Sequence, residues 1–67
     1  MQYLDEFDMN EILYWLLANH DVDYTDRYFA EKIMAAAWEE LRKAEASEWY
    51  ERCHEMKQFI EWVPTRF

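Results

Sequence analysis

The sequence predicts a small all-α domain, and three observations carry that prediction. The chain has no glycine and a single proline, Pro64, in 67 residues. Hairpins rely on residues that tolerate positive φ, most often Gly, Asn or Asp, so a β-rich fold would be short of turns. Strict apolar/polar alternation is absent, whereas apolar residues recur at three- and four-residue spacing in three blocks. The length allows one domain spanning residues 1–67, near the lower limit for folding on a single core.

The first helix is expected over about 8–20. Asp8 and Glu11 have capping-box spacing, with Asp8 as N-cap. At about 100° per residue, Met9, Ile12, Leu13, Leu16, Leu17 and His20 share one face. Tyr14, Trp15 and Ala18 fall opposite, so the helix is apolar nearly all round and is expected to be central or covered on both sides. A connection through Asn19–Tyr24 leads to a second helix over about 25–45, capped by Thr25 or Asp23 with Asp26 in its first turn. Phe29, Ile33, Met34, Ala37, Trp38, Leu41 and Ala44 form its stripe, and the alanines at 35–37 permit close helix approach.

A third helix is expected over about 47–63, with Ser47 as N-cap, ending before Pro64. Its apolar face carries Trp49, Cys53, Met56, Ile60 and Val63. Nothing in Ala44-Glu45-Ala46-Ser47 forbids helix, so the alternative is one long kinked helix, which would need a dimer to bury it. The phase of the stripes separates the two cases. Carried through a continuous helix, the third block's apolar direction lies roughly 100° ahead of the second's. A heptad seam drifts only about 20° per heptad, in the opposite sense. The mismatch predicts a break near Ala46.

The composition is 52% hydrophobic and 19% aromatic, with four Trp, five Tyr and four Phe. Each aromatic can bury roughly 150–250 Å², so most of this surplus is expected in the core, and the chain is not expected to be disordered. The lone Cys53 rules out an internal disulfide and fits a reducing compartment. The start, Met1-Gln2-Tyr3-Leu4-Asp5-Glu6, is acidic where a signal peptide is basic. The longest apolar run, Ile12–Ala18, spans seven residues against the roughly 20 that cross a bilayer. A soluble, cytoplasmic protein without membrane association is expected.

Fifteen acids against seven bases give a net charge of −8. Direct nucleic-acid binding and anionic membranes both call for a basic face, so the expected partner is a protein with a basic surface. Asp21-x-Asp23-x-Thr25-Asp26 has the opening spacing of a calcium loop, but Asp26 and Lys32 stand where that loop needs Gly and Glu. Cys53, His54, Glu55 and His20 have no zinc-site spacing, and adjacent helical positions diverge by about 100°. No metal or cofactor is expected. A Cys53/His pair as nucleophile would lack the glycine loops that catalytic sites commonly use, and so short a chain leaves little room for a pocket; no catalytic residue is assigned.

Two features point instead to binding. Glu48, Glu51 and Glu55 form an outward ridge on the third helix, a charge pattern suited to steering a basic partner. Tyr14, Trp15, Tyr50 and Trp62 lie off the main apolar stripes, with the terminal Phe67 beside them as a further candidate, and Trp and Tyr are favoured interface anchors. The expected function is a small acidic, non-enzymatic module that inhibits or modulates a larger protein. One alternative is a DNA mimic that occupies a nucleic-acid site, weakened by interspersed Lys32, Arg42, Lys43, Arg52 and Lys57. Another is a structural subunit or homodimerising adaptor. In size, charge and aromatic content the chain resembles small inhibitors encoded by phages and other mobile elements, some of which act on nucleic-acid-handling proteins.

Overall fold

The structure, a computed structural model, describes residues 4–67; Met1, Gln2 and Tyr3, the start of the acidic N-terminal stretch, lie outside the described residues. It consists of three helices, α1 Glu6–His20, α2 Phe29–Ala46 and α3 Tyr50–Arg66. The break between α2 and α3 is present, so the single long helix is set aside. The radius of gyration is 11.4 Å, close to the roughly 11 Å of a compact chain of this length.

Each helix start differs from its expected place for a local reason. α1 begins two residues earlier than expected, because Asp5 and Asp8 form the capping box in place of Asp8 and Glu11. Asp5 Oδ1 accepts from the Asp8 N–H at 2.9 Å, and Asp8 Oδ2 accepts from the Asp5 N–H at 3.4 Å. Both acid pairs have the right spacing, and the earlier one adds a helical hydrogen bond from Met9 N–H to the Asp5 carbonyl. α2 starts at Phe29, not near Thr25, because the acids cap turns instead of the helix. Asp23 Oδ1 accepts from the Thr25 N–H and hydroxyl, and Asp26 Oδ1 accepts from the Tyr28 N–H. Such side-chain-to-backbone bonds compete with helix.

The turn into α3 is a Schellman motif. Trp49 N–H donates to the Ala44 carbonyl at 2.9 Å and Glu48 N–H to the Glu45 carbonyl at 3.1 Å. Ser47 therefore terminates α2 instead of capping α3, and Glu48 holds the left-handed position at φ 55°. The end of α1 also turns through a left-handed residue, Asp21 at φ 52°, with the N–H groups of Asp21 and Val22 both bonded to the Leu17 carbonyl. A chain without glycine thus places acids at both left-handed positions among the described residues.

α3 also runs through Pro64 to Arg66, past its expected end. Proline this near a C-terminus forfeits one intrahelical bond. The last turn is recovered by Phe67 N–H to the Val63 carbonyl, and by Phe67 packing edge-on against Phe29 and Trp62.

The ends of α2 and α3 that meet at the turn, and the Phe29–Phe67 contact at the far end, make these helices an antiparallel pair. α1 packs across both. Leu4 N–H donates to Gln58 Oε1 on α3, Glu6 pairs with Arg66, and His20 Nε2 lies 2.8 Å from Glu40 Oε1 on α2. The core is Met9, Ile12, Leu13 and Leu16 from α1, Phe29, Ile33, Ala36, Ala37, Leu41 and Ala44 from α2, and Cys53, Met56, Phe59 and Val63 from α3.

Candidate interaction surface

The core leaves most of the aromatic residues out, which corrects the expectation that it would absorb them. Of the twelve aromatics among the described residues, only Phe29 and Phe59 are buried, and Trp62 is half-buried. The other nine are exposed: Phe7, Tyr14, Trp15, Tyr24, Tyr28, Trp38, Trp49, Tyr50 and Phe67. On α2 the buried positions include the small Ala36, Ala37 and Ala44, while the indole of Trp38 on the same helix stays outside. Trp38, expected in the α2 stripe, is 47% exposed, and Trp49, expected on the apolar face of α3, precedes that helix and is 59% exposed.

Two of the predicted site residues, Trp15 and Glu55, come together in a groove of about 630 Å³ between α1 and the α2–α3 turn. Trp49 lines the same groove and was assigned to the core from sequence. The signal that would have placed it outside is its position two residues after the helix-ending Ser47, where it belongs to a turn. Such a volume is comparable to the roughly 300–1,000 Å³ of ligand clefts.

The groove is charged as well as aromatic. Asp8, Glu11, Glu40 and Glu55 line it, against Lys43 and Arg52. Arg52 lies over the Trp15 ring, its Cζ 4.6 Å from the centroid, and its Nη1 reaches Glu55 Oε1 at 3.5 Å. Lys43 Nζ lies 3.5 Å from Glu40, which also meets His20. Glu11 is exposed and pairs with no base among the described residues. Nothing buried is left unpaired, since no buried side-chain nitrogen or oxygen lacks a hydrogen bond among the described residues.

The predicted acidic ridge is only partly a ridge. Glu51 and Glu55 belong to α3, but Glu48 lies in the turn before it, and Glu55 is half-buried against Arg52. Tyr50 is exposed, and so are Tyr14 and Trp15, so α1 is not covered on both sides as its all-round apolar pattern suggested. Trp62 packs on the core edge beside Phe59 and Phe67, at centroid distances of 5.7 and 6.1 Å, and is the least available of the four predicted aromatics. A second apolar surface, between α2 and the end of α3, presents Met34, Trp38, Pro64 and Phe67.

Cys53 and His54 both have structural surroundings. Cys53 is buried in the core, and His54 Nε2 lies 2.6 Å from Gln58 Nε2. No three His, Cys, Asp or Glu side chains among the described residues are grouped to hold a metal ion. The Thr25 backbone N–H, and then its hydroxyl, hold the Asp23 carboxyl below the usual carboxylate range. The Lys32 ammonium, and then the Tyr28 N–H, do the same for Asp26. No helix among the described residues is long and apolar enough to cross a membrane. In comparisons with protein families, curated proteins and solved structures, the chain matches none.

Proposed function

We propose that this chain is a non-enzymatic binding module that docks onto a basic surface of a larger cytoplasmic protein and modulates it. The observation that carries the reading is the placement of the aromatics. Nine exposed aromatic side chains exceed what the core needs, and Trp and Tyr concentrate at interface hot spots. The net charge of −8 supplies the electrostatic half, favouring fast, salt-sensitive encounter with a basic partner.

Docking is preferred to DNA mimicry because the acids are punctuated by bases. Asp26 pairs with Lys32, Glu39 and Glu40 with Lys43, Glu55 with Arg52 and Glu6 with Arg66, which breaks a phosphate-like row. The apolar surface at Trp38 and Phe67 favours a second reading, a homodimer or structural subunit, opposed by the repulsion between two copies of charge −8. A concentration-independent monomer in sedimentation would remove it.

The docking reading is tested by affinity capture from the native host at low and high salt. Wild-type protein is compared with Trp15→Ala/Trp49→Ala and with the charge reversal of Glu48, Glu51 and Glu55. A basic protein is expected to be retained by wild type, and reduced by either variant and by salt. Recovery of the same proteins by all three forms, insensitive to salt, would contradict the reading.

A further inference from the structure

We infer that the groove between α1 and the α2–α3 turn seats an arginine-bearing segment of the basic partner, whose guanidinium takes the Trp15 ring face that Arg52 now covers. This rests on the docking reading above and names the side chain that is read.

A guanidinium site needs a ring face and a carboxylate in reach of one another, and both are in place. Arg52 Cζ stands 4.6 Å from the Trp15 centroid while its Nη1 lies 3.5 Å from Glu55 Oε1. The internal arginine shows that the geometry accepts the group. Its own hold is weak, because the ion pair is long and lies on one helix at i, i+3 spacing. An incoming arginine can displace it or stack beside it, and would find two further groups on the groove walls: Glu11, which has no basic partner among the described residues, and the exposed Trp49.

Charge selects the occupant. Carboxylates lining the groove outnumber bases four to two, within a chain of net charge −8, so a basic segment is complementary and an acidic or nucleic-acid strand is not. Arginine is preferred to lysine because its planar fork stacks on indole and meets carboxylates with paired N–H groups, while an ammonium is a compact, strongly hydrated charge.

The test is calorimetric titration of the whole protein with octa-arginine and octa-lysine at equal ionic strength, with tryptophan emission followed in parallel. Octa-arginine is expected to bind at least about fivefold more tightly than octa-lysine and to shift the emission. Trp15→Ala should bring that ratio near one, and Arg52→Ala, which clears the ring face, should raise it. Far-UV circular dichroism checks that both variants remain folded, and Glu11→Gln, a change at an exposed position, should weaken octa-arginine if either does not. Equal, salt-sensitive binding of the two peptides would overturn the arginine seat while leaving acidic docking in place. Failure of both peptides to bind would count against the docking reading itself. Self-association lost in Trp15→Ala would assign the groove to a second copy and overturn the inference.

Discussion

Replacing Glu48 by glycine should stabilise this protein, although it removes a residue of the predicted acidic ridge. Glu48 occupies the left-handed position of the Schellman turn at φ 55°, and its exposed side chain makes no hydrogen bond or ion pair among the described residues. A residue with a Cβ spends about 1–2 kcal/mol in that conformation. Glycine relieves this, while the extra freedom of the unfolded chain returns about 0.5–1 kcal/mol. The net gain is about 0.5–1 kcal/mol, or a rise in Tm of about 2–8 °C for a domain this small. Urea denaturation followed by far-UV circular dichroism measures it. Glu48→Ala is the decisive control, because it removes the same charge but keeps the Cβ, and should stay within about 0.5 kcal/mol of wild type. Equal stabilisation by Ala and Gly would assign the effect to relieved charge repulsion and refute the backbone argument.

Two further predictions separate core from surface and acid from neutral conditions. Trp15→Ala should cost about 1–2 kcal/mol, because the residue is 40% exposed and its indole is only partly buried, whereas Phe59→Ala, at the fully buried centre, should cost about 3–5 kcal/mol; chemical denaturation of both variants ranks them. Asp23 and Asp26 have carboxyls held below their usual range, so their contribution is fully present above that range and is lost as pH falls through the lowered folded values. Asp26→Asn should therefore flatten the acid side of the stability-against-pH curve, and an unchanged slope would show that the turn adds nothing.

The helical class, the number of helices and the break before α3 were legible because they rest on periodicity and phase. Met9, Ile12, Leu13 and Leu16 were read correctly because their spacing admits one face. Helix starts were less legible. Acids at Asp5, Asp8, Asp23 and Asp26 suit both caps and turns, and only the competing hydrogen bonds decide among them. The expected α3 face includes Ile60 and omits Phe59, yet the structure buries Phe59 completely and leaves Ile60 half-buried. Periodicity cannot resolve such neighbours. The largest difference concerns the indoles. Area arguments send tryptophan inward, but α2 buries the small Ala36, Ala37 and Ala44 and leaves Trp38 exposed. The groove was legible only through Trp15 and Glu55; its other half depends on how the turn folds back.

The account stands on the aromatics lying outside the core, and acrylamide quenching of tryptophan emission tests that most directly. Acrylamide is neutral, so the net charge of −8 does not repel it. Single-tryptophan variants should show red-shifted, readily quenched emission for Trp15, Trp38 and Trp49, with partial protection for Trp62. Blue-shifted emission protected from acrylamide at Trp15 and Trp49 in the isolated protein would put those rings in the core. It would contradict the claim that they are free to bind.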